Sequence, residues 1–139
     1  MSVTLAVGCR AIMLDGLDTF LGTGSGTATA TLYQTNTALA VFNLANTPFG
    51  SGSSDSLALA SVPIANTGTA VGGYGNRMIL RNRDAATGFS FTVSGVGGGG
   101  DVEVPSILVT AAAAQSLNYL VLRMGATGLL RVEASLTLV

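Results

Sequence analysis

Asp101 and Glu103 stand two residues apart in GGDVEVP, a spacing that puts two carboxylates on one face of a strand, as calcium binding or an acid/base couple requires. No third or fourth acid is near them: Asp15, Asp18, Asp55, Asp84 and Glu133 are scattered along the 139 residues. The plainer reading is a pair of solvent-facing charges that keeps an edge strand from pairing wrongly. Nor does the chain offer them a base. It has no histidine, which removes the commonest general base and metal ligand and every Ser-His-Asp or Cys-His mechanism. Cys9 is the single cysteine, so it forms no internal disulfide, and it is expected to be a small buried hydrophobe. One cysteine and no histidine cannot assemble a four-ligand zinc site. The run Gly97 to Gly100 lacks the lysine of a phosphate loop, since the chain contains no lysine, and reads as loop positions that need positive φ. No catalytic residue, cofactor or metal is therefore expected, and the chain reads as a non-enzyme.

Half of the six cations, all arginines, fall in RMILRNRD. If this stretch is extended, Arg77, Ile79, Arg81 and Arg83 share one side and Met78, Leu80 and Asn82 the other. Arginine makes bidentate bonds to carboxylates and is the cation best suited to protein interfaces. The strip Arg77, Ile79, Arg81, Arg83 is read as an inter-subunit contact, the alternative being a solvated face with local pairs to Asp84. Replacing Arg81 and Arg83 by alanine tests the strip. A weakened assembly is the expected outcome; unchanged assembly and partner affinity discard the contact.

The elements that must position these residues are short. A chain of this length is most simply one domain, residues 1–139, with a core of two packed layers. Charged residues make up 9%, against about 25% in ordinary domains, and the net charge is −1. No basic field exists to gather nucleic acid, which is not expected as a partner. Mean hydropathy is high at +0.57. Yet the most apolar piece, ILVTAAAA (107–114), is far below the roughly 18 residues of a spanning helix. A membrane β-barrel needs aromatic girdles, and eight aromatics without tryptophan do not furnish them. The start, MSVTLAVGCR, lacks the basic region and apolar length of an export signal. No membrane association is expected.

Residues 9–21, CRAIMLDGLDTFL, predict a short amphipathic helix with Ile12, Met13, Gly16, Leu17, Phe20 and Leu21 on one face, and Arg10, Asp15 and Asp18 largely off it. Gly22 is placed to end it, and GTGSG (22–26) reads as a flexible connector. From Thr27 the period becomes two. Ala28, Ala30 and Leu32 oppose Thr29, Thr31 and Tyr33, and after a TNT turn Ala40, Phe42 and Leu44 oppose Leu39 and Val41. Residues 45–56 read as a long turn-rich loop, with a strand after it that Pro63 limits. Phe89, Phe91 and Val93 alternate with Ser90, Thr92 and Ser94. The final strand places Val132, Ala134, Leu136 and Leu138 inward, against Arg131, Glu133, Ser135 and Thr137. Seven or eight strands separated by Gly, Asn and Asp turns predict a mainly β fold: a single-domain antiparallel β-sandwich or barrel-like sheet, strands from 27 to 139, with one N-terminal helix.

The order helix, Gly-rich link, GTATATLYQTNTALAVFNLANTPFG, small-residue strand, RMILRNRDAATGFSFTVSG resembles small structural proteins of tailed bacteriophages. It covers about residues 9–110 through Pro48-Phe49-Gly50 and the turn Arg83-Asp84 leading to a strand that ends at Gly95. The glycine run and the apolar segment 128–139 depart from the pattern. The resemblance implies a virion component, a capsid decoration (cement) protein made in the host cytoplasm. It would sit on the capsid exterior as a homotrimer, bound to the major capsid protein or other virion proteins. Other readings are a tail, neck or fibre component, or a carbohydrate-binding or adhesion module, for which only Tyr33, Tyr74 and Tyr119 offer stacking surfaces.

Overall fold

Alternating small and apolar residues have to pair with neighbours to satisfy their backbones, and here they do so mostly within one antiparallel sheet. The computed structural model describes residues 3–50 and 55–139. Helix α1 (Val7–Leu21) comes first, followed by the hairpin β1 (Thr29–Gln34) and β2 (Thr37–Asn43). The turn between them carries Thr35 at φ 54, and a register shift at Leu32/Tyr33 sits just before it. Next come β3 (Ser56–Ala58), β4 (Ile64–Thr67), β5 (Gly73–Tyr74), β6 (Arg77–Arg81) and β7 (Thr87–Gly95). The chain ends with β8 (Val102–Val104), β9 (Leu108–Val109), β10 (Ser116–Met124) and β11 (Leu130–Thr137). The main sheet has the order β11-β10-β4-β2-β1-β6-β7-β8, with β3 also paired to β10 and the small pair β5-β9 apart. It curls into a half-barrel, in agreement with the expected mainly β, barrel-like fold. The loop expected over 45–56 falls partly on residues 51–54, outside the described residues.

The predicted alternation holds strand by strand. Ala28, Ala30, Leu32, Ala40, Phe42, Met78, Leu80, Phe91 and Val93 are buried inside the curl, joined by Leu117, Leu120, Leu122 and Leu136. The proline-limited strand is two pieces, β3 and β4, on either side of Pro63. Strands β7 and β8 run parallel, Val93 opposite Val102, although only six residues join them. Parallel neighbours ordinarily need a longer crossover; three residues of ladder are short enough to do without one.

Helix α1 covers the interior against β3, β7 and β10. Its boundaries match the predicted 9–21 within two residues, but its packed face differs. Leu14 and Leu21 are buried and Leu17 packs against the core, whereas Ile12, Met13 and Phe20 are exposed. Arg10 and Asp18, expected off the packed face, turn inward: Arg10 reaches Asp55 at 3.7 Å, and Asp18 Oδ1 accepts the Phe49 N–H at 3.1 Å. Residues 10, 14, 17 and 21 follow the i, i+4, i+7, i+11 spacing of one helical face, and the three leucines there outweigh the competing apolar set.

The glycine-rich connector is not a free linker. Gly26 N–H donates to Arg83 O (3.0 Å), Arg83 N–H to Thr23 O (3.0 Å), and Ser25 N–H to Asp84 Oδ1 (3.2 Å). Gly22 ends α1 at φ −80, while the positive φ falls on Gly24 at +116, where a Cβ would lie 2.5 Å from Asp84 Cγ. A Cβ on Gly26 would lie 2.5 Å from Arg83 O. The clasping turn is held by buried Asn82, whose Oδ1 accepts the N–H groups of Asp84 and Ala86, both at 2.9 Å. Asn82→Ala leaves two donors without that acceptor, so a loss of about 1–3 kcal/mol in urea unfolding is expected with an unchanged m-value. A loss under about 0.5 kcal/mol would show that the turn does not depend on this side chain.

Candidate functional site

The arginine strip starts on β6, whose alternation puts Arg77, Ile79 and Arg81 on the convex face of the sheet. Strand β1 lies alongside in antiparallel register, Tyr33 opposite Arg77, Thr31 opposite Ile79 and Thr29 opposite Arg81. The Tyr33 ring leans along the sheet. Its centroid is 5.7 Å from the Arg77 guanidinium carbon and 5.4 Å from that of Arg81, within the range of cation–π attraction. Thr31 and Ile79, between the two arginines in this register, are buried on the same face, at 4% and 8% exposure. Arg77 also donates from Nη2 to Thr35 O at 3.1 Å, and its Nε is buried without a hydrogen-bond partner.

Arg83 does not join this strip. The strand ends at Arg81, Asn82 turns inward, and Arg83 Nε donates to Gly26 O at 2.9 Å in the helix-connecting clasp. The predicted set therefore divides into a surface group, Arg77, Ile79 and Arg81 with Tyr33, and a structural residue, Arg83. Tyr33 was the missing member, and its place opposite Arg77 depends on the β1–β6 register.

The carboxylate pair shares an exposed face, but each member holds a different part of the chain. Asp101 Oδ2 accepts the Thr92 N–H (2.9 Å) and Oγ1–H (3.2 Å), tying the start of β8 to β7. Glu103 accepts the N–H groups of Gly97 (3.3 Å) and Gly99 (3.1 Å), with these glycines at φ +83 and +79 as expected for positions needing positive φ. The glycine loop thus wraps an anion supplied by its own chain. Among the described residues, no three His, Cys, Asp or Glu side chains gather as a metal site would need.

Cys9 is exposed, against the expectation of burial. It lies on the outward side of α1 with Ile12 (73% exposed), Met13 (42%) and Phe20 (40%). Exposed Asp15 borders this set beside Ile12, and the Cβ positions of Gly8 and Gly16 face open space. Tyr74 and Tyr119 are also exposed, at 57% and 47%, on separate strands β5 and β10. A cavity of about 410 Å³ opens between β7 and β11, with Phe89, Phe91, Leu122 and Val132 among its walls. Comparison with protein-family models, curated proteins and solved structures finds no match to this chain.

The divided strip separates two outcomes that the joint Arg81/Arg83 replacement would confound. Arg83→Ala is expected to lower stability by about 1 kcal/mol and leave association unchanged. Arg77→Ala with Arg81→Ala uncovers Tyr33 and Ile79 and is expected to change association at constant fold, read by sedimentation velocity and circular dichroism. Reversal of that pattern would return Arg83 to the surface group.

Proposed function

We propose that this chain is a non-enzymatic structural protein that self-associates through the outward face of α1. In the reading that its sequence pattern favours, it is a virion component, a capsid decoration protein on the head of a tailed bacteriophage, working as a homotrimer on the major capsid protein. The observation that carries self-association is the exposed apolar set Cys9, Ile12, Met13 and Phe20 on a helix whose other face is already committed to the core. An apolar face of this kind gains by leaving water. Interfaces between obligate subunits are more apolar than free surface, and symmetric copies can cover the same patch on each other.

The convex strip around Tyr33 supports the same reading. Arg77 and Arg81 lie over an aromatic ring, and Arg and Tyr are enriched in interface centres. A standard interface removes about 800 Å² per partner, so one helix face needs such a neighbouring surface to complete it.

Sedimentation of the purified chain tests self-association. An oligomer is expected in the micromolar range, with Ile12→Glu and Phe20→Glu each shifting it toward monomer at unchanged circular dichroism. Because the residues of this face, Cys9, Ile12, Met13 and Phe20, are uncharged and only Asp15 borders them, raising salt from about 0.05 to 0.5 M is expected to leave the association constant within about threefold, where an ion-pair interface would weaken markedly. A wild-type monomer at about 100 μM sinks the reading. Virion placement is tested separately, by quantifying the chain in purified particles; its absence from them removes the capsid assignment and leaves self-association standing.

A further inference from the structure

The main sheet fails to close for a reason of parity. Along the path β11-β10-β4-β2-β1-β6-β7, every neighbouring pair is antiparallel. Seven strands alternating in direction begin and end pointing the same way, so β7 and β11 are co-directional and cannot complete an antiparallel barrel by pairing with each other. One further strand, opposed to both, would complete it. The chain puts β8 in that gap, but β8 is parallel to β7 and pairs only with Val93–Gly95. Below it the gap stays open. The cavity of about 410 Å³ lies there, between Phe89–Phe91 of β7 and Leu129–Val132 of β11.

From these features we infer that the seam between β7 and β11 is a binding slot for an extended segment of another protein, running antiparallel to both strands and carrying a carboxylate opposite Arg131.

The backbone of β7 is oriented for this. Thr92 N–H points to the seam, where Asp101 caps it, and Val93 N–H points the other way, to Asn76 O. By strand alternation the Ser90 amide also faces the seam, beyond the reach of β8; the alternation stops at Gly88, where the β6–β7 register shifts. Strand β11 is the opposite end of the sheet, and its eight residues pair only with β10. Inside the slot, Phe89, Phe91, Leu122, Leu130 and Val132 provide an apolar wall for alternate side chains of the incoming strand.

Charge selects what enters. Arg131 stands directly opposite Arg123 in the β10–β11 register, and Glu133 is engaged by Arg123 Nε at 2.9 Å. Like charges opposite each other on a sheet repel. Arg131 has no hydrogen-bond or ion-pair partner among the described residues, so this corner is short of one carboxylate. Asp101 cannot supply it freely, since both its bonds serve Thr92. Residues 3–6 and Val139 of a second copy are poor donors. The extended residues 3–6, VTLA, have no acid, and Leu5 N–H is already bonded to Ala126 O at 2.6 Å. The C-terminal Val139 is held by buried Gln115, which accepts its N–H and donates to its carbonyl. The occupant is therefore a strand from a different chain, alternating apolar and polar with an acidic residue among the polar ones, as in β-strand addition.

The test uses the full chain and two synthetic peptides, acetyl-Thr-Val-Glu-Val-Thr-Val-amide and its Glu-to-Lys counterpart. Amide exchange by NMR is expected to slow at Ser90 and along β11 with the acidic peptide, and the acidic peptide to bind about tenfold more tightly than the basic one. Arg131→Glu, at an exposed position, is expected to invert that preference while the spectrum elsewhere stays unchanged. Protection at Ser90 and along β11 with no charge preference overturns the role of Arg131. No protection by either peptide at millimolar concentration overturns the slot. Protection that grows with protein concentration and needs no peptide assigns the seam to a second copy and overturns the hetero-strand. The slot does not depend on self-association through α1, and loss of either leaves the other measurable.

Discussion

One helix covers the concave side of a half-barrel, and a helix can bury only one stripe. The interior requires Leu14, Leu17 and Leu21, which fill the space against β3, β7 and β10. Once they point inward, helical geometry sends Cys9, Ile12, Met13 and Phe20 outward, whatever their hydrophobicity. Turning the helix by half a revolution would bury those residues instead. It would also expose two leucines that are now buried, release the bond from Phe49 to Asp18, and separate Arg10 from Asp55. The apolar surface of α1 is thus a direct consequence of closing the core, and its persistence in water is what a covering neighbour would relieve.

The sheet presents the same situation in its backbone. Its hydrogen-bonding capacity is used across seven antiparallel strands and then stops at two edges that point the same way. Edges are commonly blunted by charges or by short strands. β8 blunts part of one edge, with Asp101 capping Thr92 and Glu103 holding the glycine loop that turns the chain back. The remaining stretch of β7 has no such cover, which is why the cavity sits beside Phe89 and Phe91 rather than beside Val93.

Strand identity was legible because a period of two is a local property: the inward sets of β1, β2, β6, β7 and β11 could be read from the residues alone. The helix was legible in extent but not in rotation. Its 15 residues contain two overlapping apolar stripes, and only the shape of the space beneath decides between them. GTGSG looked flexible because its glycines have no side chains, yet Gly24 and Gly26 are required for close backbone approach to the Arg83–Asp84 turn 57 to 60 residues later. The same distant contact removed Arg83 from the interface strip. Tyr33 and the seam were hidden for a related reason: both depend on which strands are neighbours, and sheet order is set by the whole core rather than by any one segment.

Charge usage connects these surfaces. With so few ionic residues, nearly all are engaged within the fold. Arg10 meets Asp55, Arg123 meets Glu133, and Arg83 and Asp84 close the clasp. Asp18 holds Phe49, Asp101 holds Thr92, Glu103 holds the glycine loop, and Arg77 and Arg81 lie over Tyr33. Ionic groups engaged this way fasten loops and edges around a core built of Leu, Phe, Met and Val. They also leave little charge over for attracting partners at a distance. On the proposals above, recognition is short-ranged, decided by apolar fit on α1 and by backbone pairing along the seam, with Arg131 as the ionic discriminator at that edge.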